Sequence, residues 1–88
     1  MRARTSRFRA AFAAAGHSSV EAIAREIGMV HKSVQRALDG DAVGAPLMAN
    51  TIYALSRNEY QPFLTEIGIA PTLDSLFEIV VDGDVDGD

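Results

Sequence analysis

The spacing of small and apolar residues over residues 20–39 constrains this chain more than any other feature. Ala24 is followed four positions later by Gly28, and Val34 and Leu38 come six and ten positions after the glycine. An alanine lets a neighbouring helix approach closely, and a glycine can take the left-handed conformation that ends a helix. Residues four apart share one helix face. The pattern predicts two short helices that cross around a tight turn. The predicted packing residues of this pair are Ile23, Ala24, Ile27, Gly28, Val34 and Leu38.

The second helix of the pair, predicted over residues 31–39, presents a polar, cationic face. None of its outward residues is acidic. A polar, cationic helix face of this kind is what proteins use to contact base edges in the major groove of DNA. All eight Lys and Arg fall within residues 1–57, whereas residues 58–88 hold eight of the twelve acids and no base. The net charge of −4 therefore does not argue against a nucleic-acid partner. These outward residues are His31, Lys32, Ser33, Gln35 and Arg36.

Size and composition exclude several classes of protein. A chain of 88 residues makes one small domain, and 48% hydrophobic residues suffice for a single core. Cysteine is absent, which excludes disulfides, thiolate metal sites and thiol nucleophiles. No apolar run approaches about 18 residues and no signal core follows the basic start, so we expect a cytoplasmic protein without a membrane partner. No catalytic or metal-binding constellation is present, and we expect neither an enzyme nor a cofactor.

Periodicity and capping signals predict an all-α domain of five or six segments. A Ser18-Ser19-Val20-Glu21 capping box opens the second helix, and Pro46 and Pro62 lie in the first turns of later helices. Residues 77–81 suit a short C-terminal strand as an alternative to helix. The helix-turn-helix domain is assigned to residues 1–81, and residues 82–88 are expected to form a disordered acidic tail. The predicted helices cover residues 6–15, 20–27, 31–38, 46–57 and 62–67, with a sixth opening at 71–72.

Residues 20–39 resemble the helix-turn-helix of Cro and lambda-repressor-like (XRE-type) regulators, and are similar in the motif to the headpieces of lactose-repressor-type proteins. The small regulators of phages and prophages have this arrangement. The chain departs from the family at Val30, where a capping Ser or Thr is usual, and in the loop after the second motif helix, which lacks the common basic residue. The residues that carry the resemblance are Ile23, Ala24, Ile27, Gly28, Val34, Arg36 and Leu38.

The resemblance implies a sequence-specific double-stranded DNA-binding transcriptional regulator, a phage or prophage repressor that occupies a promoter. By the same resemblance His31, Lys32 and Arg36 contact bases. A homodimer on a pseudo-palindrome is expected, because one such helix rarely binds tightly alone. Expected backbone contacts are Ser18, Ser19, Ser33 and Gln35, with a basic arm of Arg2, Arg4, Arg7 and Arg9. The expected dimer interface comprises Leu73, Leu76, Phe77, Ile79 and Val80.

Other functions stay open on the sequence. An antitoxin would bind its own operator through the helix pair and a toxin through the apolar, acidic C-terminal half. A protein-interaction module would keep the helix pair without binding DNA, as the absence of basic residues from the loop over residues 40–46 allows. The helix pair can also be an ordinary hairpin, the N-terminal arginines a solvated tail, and His17 a loop residue without a role.

Overall fold

A computed structural model describes residues 1–79. In it, turn and capping residues divide the chain into short helices. Pro46 and Pro62 lie in the first turns of α4 and α5, where a missing N–H costs no helical hydrogen bond. The all-α prediction is confirmed, with the first five helices within two residues of their predicted bounds. The helices are α1 (Thr5–Ala14), α2 (Val20–Ile27), α3 (His31–Leu38), α4 (Ala45–Leu55), α5 (Gln61–Ile67) and α6 (Leu73–Leu76), with a 3₁₀ turn at Asn58–Tyr60. The predicted acidic tail lies outside the described residues.

Capping determines how α2 and α3 are joined. Gly28 ends α2 with φ of 72°, and its N–H donates to the Ala24 carbonyl. The Ser19 hydroxyl accepts from the Ala22 N–H at 3.1 Å. The predicted capping box at Ser18 is therefore wrong, because Ser19 is the cap and leaves no Glu at the third helical position. As expected from Val30, α3 starts without a side-chain cap, which costs about 1 kcal/mol.

The core is built around the aromatic rings of α1. Phe8 and Phe12 are fully buried with ring centroids 5.0 Å apart, and Phe77 meets Phe8 edge-on at 6.2 Å. Each such ring removed from water contributes about 2–3 kcal/mol. Helix α1 contacts α3, α5 and α6, so it links the helix pair to the C-terminal half. Thr51 of α4 is also fully buried, and its hydroxyl has no hydrogen-bond partner among the described residues.

A two-stranded antiparallel sheet ties the chain's first residues to residues 77–78. Strand β1 (Arg2–Ala3) pairs with β2 (Phe77–Glu78), which confirms the alternative of a short C-terminal strand. Arg2 also forms a bridge with Ala42, in the loop between α3 and α4. The N-terminal segment therefore lies between that loop and the C-terminal strand. The sequence predicts an arm here because the pairing partners of this segment are about 40 and 75 residues away.

No helix among residues 1–79 is long and apolar enough to cross a bilayer.

Candidate nucleic-acid interface

Helix α3 lies against α1 and α2 with one apolar face and leaves the opposite face in solvent. Its buried side chains are Val34, Ala37 and Leu38, each no more than 6% exposed. They meet Ile23, Ala24 and Ile27 of α2 within one core. This packing holds α3 in one orientation. The polar face of α3 is therefore presented on a rigid element, as a recognition surface requires.

The exposed face of α3 carries two cationic side chains one turn apart. Lys32 and Arg36 are exposed at i, i+4 spacing, and His31 is exposed at the first position of the helix. Ser33 and Gln35 are half-buried at the flanks. Ser33 and Arg36 also line a cavity of about 300 Å³ between α3 and the start of α4. The three residues expected to contact bases are thus the accessible ones, and the two assigned to the DNA backbone flank them.

Acidic groups lie at the far end of this face, which sequence analysis described as free of acids. The Asp41 Oδ2 lies 3.6 Å from the Arg36 Nε, and the Asp39 Oδ1 accepts from the Gln35 Nε2 at 3.1 Å. Gln35 is thus held by its neighbour on the helix. The spacing of residues on α3 gives no sign of Asp41, because Asp41 belongs to the loop and only the fold of that loop brings it back to α3.

The prediction of a free arm is wrong, because Arg2 lies in β1 and Arg7 and Arg9 lie in α1, whereas the expected contacts with the DNA backbone stay a prediction. Arg2 Nε lies 2.7 Å from the Glu78 Oε2, and Arg4 Nη1 lies 3.4 Å from the Glu78 Oε1. Arg7 Nη1 donates to the Ser75 carbonyl oxygen at 3.4 Å. Arg9 is exposed on α1. The pairing of β1 with β2 explains why no arm forms, because it places Arg2 beside the Glu78 carboxylate.

Several cations have no carboxylate partner in the part of the chain that the structure describes. Over residues 1–79, Arg7, Arg9, Arg25 and Lys32 form no ion pair closer than 4.0 Å. Arg25 is exposed on α2 and was not among the predicted contacts. Ser18 and Ser19 lie at the start of α2, where Ser19 accepts a capping hydrogen bond and keeps its own O–H to donate. These residues are the available donors for phosphate oxygens.

A second polar cluster, missed by sequence analysis, joins α2 to the segment before α5. The Tyr60 hydroxyl donates to the Glu26 Oε2 at 2.8 Å and lies 3.0 Å from the His17 Nε2. The Arg57 Nη1 lies 3.2 Å from the same Glu26 oxygen. Burial, followed by the Glu26 carboxylate, raises the pKa of Tyr60. His17 therefore has a structural role. The sequence around it does not predict this contact, because the partner is 43 residues away.

Four of the five C-terminal residues expected at a dimer interface are described, and they divide into two groups. Leu76 and Phe77 are buried in the monomer's core, at 0% and 1% exposure, so their assignment to an interface is wrong. Leu73 and Ile79 are exposed and line a cavity of about 450 Å³ beside β2. Val80 lies outside the described residues. Phe77 is buried because it begins β2, and the strand turns its side chain onto Phe8.

No protein-family model, curated protein or solved structure matches this chain. What the surface of α3 binds is therefore inferred from its own residues. Within residues 1–79, no three His, Asp or Glu side chains come together as metal ligands would.

Proposed function

We propose that this chain is a sequence-specific double-stranded DNA-binding regulator of transcription, of the small phage or prophage repressor kind. The observation that supports this most is the exposed pair of Lys32 and Arg36 on α3, a helix whose other face is fixed by packing. A cationic, rigidly held helix face fits the width of a B-form major groove. Bound at a promoter, the protein would exclude polymerase.

In the proposed complex, α3 enters the groove with its first turn leading. Arg36 forks onto guanine O6 and N7, and Lys32 and His31 contact neighbouring base edges. Ser33, beside the start of α4, donates to a phosphate. Gln35 is a weaker candidate for the backbone, because Asp39 already accepts its hydrogen bond.

The phosphate contacts come from cations that pair with no carboxylate within residues 1–79. Arg7, Arg9 and Arg25, with the Ser18 and Ser19 hydroxyls, are the donors we assign to this role. Arg2 and Arg4 are not assigned to it, since Glu78 already pairs with both. Such contacts fix the position of the protein on the duplex and carry no sequence information themselves.

A homodimer would place two copies of α3 in half-sites one helical turn apart. We propose that Leu73 and Ile79 contribute to its interface, because both are exposed beside the same cavity. Light scattering at micromolar concentration tests this assignment. We expect a dimer for the native chain and a monomer for Leu73→Arg; a native monomer that binds a single half-site tightly would contradict it.

Selection of duplexes from a random pool tests the proposed function itself. We expect the native chain to select a defined site, and Arg36→Ala to lose preference at one base pair while it still binds duplex DNA. Arg25→Ala is the matched control, because it removes the same charge from an exposed helix position outside α3. It should weaken binding to all duplexes alike. Enrichment of no sequence by the native chain at low salt would refute the proposal.

A protein-interaction role is the second candidate, and charge pairing favours it. Glu78, Glu26 and Asp41 each pair with cations that a DNA-binding surface would use. Exposed apolar side chains in the C-terminal half, Phe63 and Ile67 of α5 among them, offer a surface for a protein partner. Binding to DNA through four to six phosphates would weaken steeply with salt, whereas this role predicts no duplex binding at any salt concentration.

A further inference from the structure

The loop after α3 folds back and brings a carboxylate beside Arg36. Gly40 takes a left-handed conformation with φ of 91°, and the Asp41 N–H then donates to the Arg36 carbonyl oxygen at 3.0 Å. Further along the loop, Ala42 forms a bridge with Arg2, and the Val43 N–H donates to the Met1 carbonyl at 2.8 Å. The backbone of Asp41 is thus held on both sides. From this backbone its side chain, about half exposed, reaches Arg36.

The contact is made at the inner nitrogen of the guanidinium group. The Asp41 Oδ2 lies 3.6 Å from Arg36 Nε, an ion-pair distance. A carboxylate at Nε leaves the two outer amino groups to donate in parallel, and guanine presents O6 and N7 in the matching geometry. An unpaired arginine on an exposed helix samples many rotamers, and a partner at Nε restricts them.

We propose that Asp41 is a positioning residue that determines specificity, holding Arg36 so that its outer amino groups contact one guanine. This inference rests on the proposed function and specifies it further: the base that α3 recognises through Arg36 is guanine, and the loop residue sharpens that choice. Asp41 touches no base itself in this arrangement.

The direction in which DNA affinity and base discrimination change distinguishes positioning of Arg36 from a simple effect of charge. A carboxylate near the duplex repels phosphates, so its removal raises affinity for any DNA. If Asp41 also positions Arg36, its removal lowers discrimination between sites at the same time. Asp39 provides the matched control, because it lies on the same side of α3, carries the same charge and bonds Gln35 instead of Arg36.

The experiment measures Kd for the duplex that the native chain selects and for a duplex with the Arg36-dependent G·C pair changed to A·T. A bidentate arginine–guanine contact predicts a ratio of about 5- to 150-fold for the native chain. Asp41→Asn should reduce this ratio at least threefold while it strengthens binding to the A·T duplex. Asp39→Asn should strengthen both complexes alike and leave the ratio unchanged. In the Arg36→Ala background, Asp41→Asn should not change the ratio.

A second measurement follows Arg36 in the free protein. We expect the ¹H–¹⁵N signal of its Nε–H to shift in Asp41→Asn and to stay in place in Asp39→Asn. An unchanged ratio in Asp41→Asn, with both duplexes bound more tightly, would overturn this inference and leave the proposed function standing. Failure of the native chain to bind any duplex would overturn both.

Discussion

Substitution of Gly28 measures how much of the helix pair depends on one backbone conformation. Gly28 has φ of 72°, and a Cβ built at this position meets no atom within 4 Å. The cost of Gly28→Ala is therefore conformational rather than steric. An L-residue in the left-handed region costs about 1–2 kcal/mol. We expect this loss in the free energy of unfolding, and a fall in Tm of about 4–8 °C for each kcal/mol.

Two variants make the Gly28 prediction specific. Gly28→Asn should lose less than Gly28→Ala, because asparagine enters the left-handed region more readily. Gly44→Ala serves as a control, since Gly44 has an ordinary φ of −94° and its added Cβ would lie 3.6 Å from the Pro46 Cδ, an ordinary contact. There, the lower entropy of the unfolded chain roughly offsets a weaker helix cap.

The free energy of unfolding of the three variants is measured by urea denaturation, with circular dichroism as the signal. Folded Gly28→Ala should still select the native duplex, because the turn keeps its shape at an energetic cost. A loss above about 4 kcal/mol, or equal losses for alanine and asparagine, would refute the conformational argument, since left-handed strain alone does not reach that size.

Four other predictions concern Phe77, Tyr60 and Lys32. Phe77→Ala should cost about 3–5 kcal/mol in urea denaturation, because it leaves a cavity in the core, whereas Leu73→Ala should stay within about 0.5 kcal/mol at concentrations where the chain is monomeric. Tyr60→Phe should cost about 1–2 kcal/mol by removing the hydrogen bond to Glu26. Because the pKa of Tyr60 is raised on folding, the native state holds its proton longer, so stability should fall as pH rises above 10, less steeply in Tyr60→Phe. For DNA affinity, Lys32→Ala should reduce the slope of log Kd against log salt by less than about 1 if Lys32 contacts bases, and by about 1 if it contacts a phosphate.

Local spacing was sufficient to predict the helix pair. Ala24, Gly28 and Val34 act within one supersecondary unit, so their positions in the sequence already specify a close crossing and a turn. The same holds for the helices that Pro46 and Pro62 open. These elements depend on interactions among residues close together in the chain, so the sequence is sufficient to predict them.

Contacts between distant residues could not be predicted in the same way. The pairing of Arg2 with Glu78 spans 76 positions, and that of His17 with Tyr60 spans 43. Nothing in the N-terminal arginines distinguishes an arm from an edge strand until the C-terminal strand is placed beside them. Phe77 was assigned to a surface for the same reason, because its neighbour in the core, Phe8, belongs to the first helix.

The acidic residues change what the basic half of the sequence can do. Counting charges suggests a broad positive surface, yet Glu78 pairs with two arginines and Glu26 with a third. Non-specific attraction to DNA scales with the number of phosphates that are neutralised, so this chain has less of it than its count of basic residues suggests. If it binds DNA, discrimination must come from the few side chains of α3 that stay accessible. That is why the geometry of Arg36, and of the carboxylate that lies beside it, matters more than the net charge.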